Sequence, residues 1–213
     1  IVPFMVCLFV IGSLIIIGVN GDQIGAAFSA IFTDAFTANS AWGGAVGFAV
    51  MQAVTQGFKR GVFSNEAGLG SSVMVHSNSN VKEPVKQGMW GIFEVFADTM
   101  IVCTMTALVV LTSGLYNLET GVLAEGVTDA TLVANAFNSV FSFGNIGSKF
   151  VAIAILLFAF TTVLGWNHYG TKAWEYLFGV KSTNVYKVIH LVMILFGALL
   201  TSSLAWDISD TFN

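Results

Sequence analysis

The sequence predicts an all-α, polytopic membrane protein with about five spans, one of them broken by a polar segment. Three observations carry that reading. Hydrophobic residues make up 55% of the 213 positions and charged ones only 9%, with a mean hydropathy of +0.80, where soluble domains usually carry about 25% charged residues. The apolar runs are long enough to cross a hydrocarbon core of about 30 Å at about 20 residues each. Finally, the stretch Lys59–Ser72, KRGVFSNEAGLGSS, sets charge, amide, hydroxyl and glycine between two apolar runs. Lipid offers a free peptide group no hydrogen-bond partner, so such a break survives at depth only where protein, water or a solute satisfies it.

In chain order, a first span is expected over Val2–Val19, closed by Asn20-Gly21-Asp22. Ile24, Phe28, Ile31, Phe32, Ala35 and Phe36 then form the stripe of an amphipathic helix, too short to cross and expected at the outer surface. The stretch Trp42–Asn80 would reach roughly 57 Å as one helix at 1.5 Å per residue, so helix, break and second helix is the better fit. Pro84 suits a first helical turn and opens a helix expected to run to Thr112. An acidic connection from Leu115 to Asn145 holds a second short amphipathic helix, with Leu132, Val133, Ala136, Phe137, Val140 and Phe141 on one face. Spans over Ser148–Lys172 and Tyr186–Trp206 complete the set. Beginning at Ile1 within an apolar run, the chain reads as a single transmembrane domain, residues 1–213, of a larger transporter-sized protein. Cys7 and Cys103 sit in apolar runs and read as buried small hydrophobes.

Lys82 and Lys86 share one connection and Lys172, Lys181 and Lys187 another, whereas Asp22, Asp34, Glu119, Glu125 and Asp129 mark the intervening loops. Basic residues concentrate on cytoplasmic connections, so the chain enters from inside and places Asn20, the acidic loop and Asp207 outside. Trp174, Tyr176 and Trp206 fall at the expected water boundaries. The net charge of −4 contains no basic run, and nothing points to nucleic acid.

At the break, a helix ending near Phe63 would present unpaired carbonyls, and one starting after Gly68 would present free N–H groups. Ser64 and Asn65 can bind a polar solute or cap the second helix, while Gly68 and Gly70 let backbone approach a solute closely. Glu66 adds a carboxylate that is costly at depth unless paired, protonated or serving a cation. A plain cytoplasmic loop with ordinary caps explains the same residues. Glu94 and Asp98, at i and i+4, share a face and either line an ion path or support neighbouring groups, Arg60 among them. Arg60 itself is an outer-gate partner or a cytoplasmic anchor. Ser72 and His76, at i and i+4, would suit an intramembrane hydrolase, but nothing supplies a nucleophile elbow or a third orienting residue.

The run GFKRGVFSNEAGLGSS, with His76, Pro84-Val85-Lys86-Gln87-Gly88 and the Asp98-Thr99 to Ala107-Leu108 stretch, resembles the alanine or glycine:cation symporter family over most of the chain. The resemblance implies sodium-coupled carriage of small neutral amino acids, alanine or glycine, and a fold similar to the bacterial leucine transporter, with two inverted repeats and broken first and sixth helices. The chain would then hold about the fifth to ninth membrane helices. Phe63, Ser64, Asn65 and Gly68 match the unwound sixth helix and are the expected substrate residues. Thr161 and Thr162 match the paired hydroxyls that bind sodium, and Trp166, at i+4 from Thr162, would wall the pocket. Back-bonding of the threonines to their own helix is the structural alternative. The two short amphipathic helices would act as outer lids. Proton coupling, a channel subunit and a hydrolase are the rival functions; no cofactor is implied beyond the coupling ion, and the protein is expected in the cell membrane with its remaining helices as partners.

Overall fold

The computed structural model describes residues 2–36, 55, 57–61, 66, 70–118, 122–128 and 131–212. The described residues are almost entirely helical. They comprise α1 (Val2–Val19), α2 (Ile24–Phe36), α3 (Ser71–His76), α4 (Pro84–Thr112), α5 (Leu132–Val140), α6 (Ile146–Phe178), α7 (Thr183–Leu199) and α8 (Ser202–Phe212). Residues 57–61 are helical as well. Three stretches, Pro84–Thr112, Phe143–Phe178 and Val180–Leu199, are long and apolar enough to cross a bilayer, and Pro3–Val19 with Gly21–Thr33 forms a pair bent by 78°. These stretches are consistent with a polytopic membrane protein.

The chain divides into two units. The first contains residues 1–58 and 93–158. Its core is Ile16 of α1, Val109 of α4, Ala136 and Phe137 of α5, and Val151 of α6, with Phe9, Val133 and Phe150 packed around it. Phe137 is its anchor: the ring is 1% exposed, stacks on Phe9 at 5.3 Å and lies 5.8 Å from Phe150. Two glycines make room for it. A Cβ at Gly12 would meet the Phe137 ring at 2.9 Å, and one at Gly147 would meet the Phe137 carbonyl at 2.6 Å. Of the apolar face read from Leu132 to Phe141, Ala136 and Phe137 are buried in the core, and Val133, Val140 and Phe141 pack against it half-buried.

The second unit contains residues 59–92 and 159–213. Here α6 and α7 form a hairpin turned by Gly179, at φ 81°, a conformation glycine adopts without strain. Trp174 Nε1 donates to Ser182 Oγ at 3.0 Å, and the Trp174 ring lies 5.7 Å from Tyr186, which stacks on His190 at 5.8 Å. Gly170 faces the Tyr186 side chain directly.

Three expectations need correction. The last span ends at Leu199, not Trp206: Leu200 is extended at ψ 149°, and Thr201 Oγ1 accepts from the Leu204 N–H at 3.4 Å, so hydroxyls read as span interior start a new helix instead. The span expected over Ser148–Lys172 runs on to Phe178. Cys7 and Cys103 are exposed on the chain, not buried. Within α4, Phe96–Cys103 is wound as a π-helix between the α segments Pro84–Val95 and Thr104–Thr112.

Candidate functional site: a broken helix and its surroundings

The residues flanking the break show how the chain leaves helical geometry. Residues 57–61 are helical, and α3 resumes at Ser71. Between them Glu66 has φ 52° and Gly70 has φ 68°. Positive φ is uncommon for a residue with a side chain. The Glu66 carboxylate accepts a hydrogen bond from the hydroxyl of Ser71, which is 5% exposed, so the acid folds back on the start of α3. Phe63, Ser64, Asn65 and Gly68 lie outside the described residues.

Before the break, Arg60 Nη1 lies 3.2 Å from Asp210 Oδ1 and Lys59 Nζ lies 3.4 Å from Asp210 Oδ2. The Arg60 guanidinium also sits over the Trp206 ring, 3.8 Å from its centroid. Two adjacent cations thus share one carboxylate and one aromatic face, both from α8. Asp210 was not among the expected site residues. The signal for it was the Lys59-Arg60 pair itself, since neighbouring cations in so apolar a chain need a carboxylate.

Thr161, Thr162 and Trp166 lie on α6 in the same unit as Arg60 and Glu66. Thr161 is half-buried and Thr162 exposed. Trp166 is 39% exposed and meets Tyr169 edge-on at 5.7 Å. Hydroxyl oxygens are hard donors of the kind a small alkali cation takes. Threonine back-bonding is present in α4, with Thr106 Oγ1 donating to the Val102 carbonyl at 2.9 Å and Thr112 Oγ1 to the Leu108 carbonyl at 2.8 Å.

Glu94 and Asp98 belong to the other unit. Both are exposed. Glu94 is in the last α turn before the π segment and Asp98 is inside it, so the α spacing that put them on one face does not hold between them. After the break, His76 Nδ1 and Gln87 Nε2 are 2.7 Å apart, joining α3 to α4. Ser72 is exposed. Among the described residues, no three His, Cys, Asp or Glu side chains are grouped to hold a metal ion.

A sequence model of the sodium:alanine symporter family matches residues 1–213, the whole chain. The chain belongs to that family. It is 39% identical over 213 residues to an uncharacterized transporter of Haemophilus influenzae, covering 100% of this chain and 45% of the relative. It is 37% identical over 216 residues to the sodium/alanine symporter AgcS of Methanococcus maripaludis, with the same coverage of 100% and 45%. To a putative sodium/proton-dependent alanine carrier protein of Bacillus subtilis, YrbD, it is 37% identical over 226 residues, covering 99% of this chain and 44% of that protein. The chain thus spans less than half the length of the curated relatives it matches. The family is one of transporters, not enzymes.

Proposed function

We propose that this chain forms part of a symporter that moves a small neutral amino acid, alanine or glycine, across the cell membrane in company with sodium. The observation that carries the reading is the loss of helical backbone at Glu66 and Gly70 between helical residues 57–61 and α3, inside a chain of this family. A helix broken in this way exposes carbonyls on one side and N–H groups on the other, which match the ammonium and carboxylate ends of an amino acid.

In this reading the fold is the inverted-repeat arrangement of the leucine transporter. Phe63, Ser64, Asn65 and Gly68 hold the substrate, Trp166 limits its size, and Thr161 and Thr162 contribute oxygen ligands to sodium. Arg60, tied to Asp210, closes the outer path, and Glu66 steadies the break through Ser71. Glu94 and Asp98 act as structural supports of α4. Alternating access follows from rocking of one bundle of helices against another around the shared site.

The test is uptake of radiolabelled alanine into proteoliposomes holding the full-length transporter, with and without an inward sodium gradient, beside the Thr161→Ala/Thr162→Ala variant. Gradient-driven uptake that the variant loses supports the reading. Uptake driven by a proton gradient without sodium supports proton coupling, the second reading, raised by a Bacillus subtilis relative whose name gives both sodium and proton dependence. Flux that never saturates with alanine indicates a pore.

A further inference from the structure

Just past the break, α3, the turn after it and the beginning of α4 border an open pocket of about 470 Å³. Its polar groups come from Ser72, His76, Ser77, Ser79 and Gln87, set among the apolar side chains of Val73, Val81 and Pro84. The facing wall is nearly bare because it contains Gly88 and Gly91: a Cβ at Gly88 would meet nothing within 4 Å, and one at Gly91 only His76 Nε2 at 3.9 Å. No carboxylate, ammonium or guanidinium group lines the pocket among the described residues. The His76–Gln87 contact at 2.7 Å sets the imidazole against the amide and ties α3 to α4.

We propose that this pocket is a second, release-side site for the transported amino acid, distinct from the break and on its cytoplasmic side. The inference rests on the symport reading above and on the inside placement of the Lys82–Lys86 connection that adjoins the pocket. Hydroxyls, an imidazole and an amide offer both donors and acceptors, which suits a solute with an ammonium and a carboxylate but no net charge. A net ion would lose hydration here without gaining a counter-charge. The volume lies in the ordinary range for small-molecule sites, about 300–1,000 Å³, and admits a small amino acid together with water.

The test uses the full-length transporter in right-side-out and inside-out membrane vesicles, measuring the alanine concentration for half-maximal exchange at each face. Gly88→Leu fills the pocket from its bare side, and Met89→Leu, at an exposed neighbouring position outside the pocket lining, is the control that does not. The expected result is a rise of about tenfold at the cytoplasmic face for Gly88→Leu, with the outer face within twofold of wild type and Met89→Leu unchanged at both. An unchanged cytoplasmic value, or an equal rise at both faces, overturns the proposal. If Gly88→Leu fails to reach the membrane, His76→Leu decides by the same two values. A wild-type transporter that exchanges no small neutral amino acid at either face overturns the symport reading itself, and is distinct from these outcomes.

Discussion

Arg60 and Asp210 are 150 residues apart in the sequence and 3.2 Å apart in the fold, with the guanidinium also lying on the face of Trp206. The contact ties the segment leading into the break to α8. In the symport reading proposed above, it would serve as a latch that opens and recloses on each cycle.

The latch is expected to be weak enough to cycle. The Arg60 and Asp210 side chains are 41% and 16% exposed, so the pair contributes up to about 1 kcal/mol and the stacked guanidinium about another 1 kcal/mol. Asp210→Asn, which leaves the stack on Trp206, should slow sodium-driven alanine uptake by up to about fivefold, and Arg60→Gln, which loses both contacts, by up to about thirtyfold. The exchange Arg60→Asp/Asp210→Arg should recover part of that loss. An exchanged protein no better than either single variant counts against a latch.

Thr161→Ala and Thr162→Ala are expected to raise the sodium concentration for half-maximal uptake by about tenfold, the effect of losing about 1.4 kcal/mol of ion binding. The alanine requirement at saturating sodium should stay near wild type. A change confined to the alanine value would reassign both hydroxyls to the substrate or to the helix itself.

Glycine substitutions should rank by what a methyl group meets. Gly147→Ala drives a Cβ to 2.6 Å from the Phe137 carbonyl, which is backbone and cannot step aside. Gly12→Ala meets the Phe137 ring at 2.9 Å, and a side chain yields more easily. Gly88→Ala meets nothing within 4 Å and gains helix propensity. Overpacking costs typically about 1–3 kcal/mol. Thermal unfolding in detergent should place Gly147→Ala lowest, Gly12→Ala between, and Gly88→Ala at or above wild type.

Phe137→Ala should lower stability by about 3–5 kcal/mol, the usual cost of removing a buried aromatic ring. The same melting measurement checks it. A small change would mean that α5 is held mainly by contacts other than the Phe137 ring.

Much of the helical plan was legible in the chain. The first two helices end where the apolar stripe and the Asn20-Gly21-Asp22 turn place them, and Pro84 and Thr112 bound α4 as read. Local pattern is enough for such boundaries because each is decided within a few residues. Thr201-Ser202-Ser203 misled for the opposite reason: hydroxyls are tolerated inside a span and are also good caps, and only the extended backbone at Leu200 shows which role prevailed.

The candidate site was legible less evenly. Lys59-Arg60, Glu66 and Gly70 stand out as polar or permissive residues in an apolar chain, but the partner of Arg60 lies at the far end of the sequence, where spacing gives no help. The pairing of His76 with Gln87 likewise depends on the turn between α3 and α4. Phe63, Ser64, Asn65 and Gly68 owe their substrate role to family resemblance, and they fall outside the described residues.

The π winding of Phe96–Cys103 gives α4 slack in the middle of a membrane-spanning stretch. A turn closed by i→i+5 bonds takes up more residues than the 3.6 of an α turn, so the segment stores surplus chain between two regular ends. Sliding that surplus along the helix by one residue would swing a side chain such as Asp98 about the axis by about 100° while exchanging one backbone bond for another. In this way α4 could reorient its polar groups as a dislocation moves through a crystal, without unravelling in lipid.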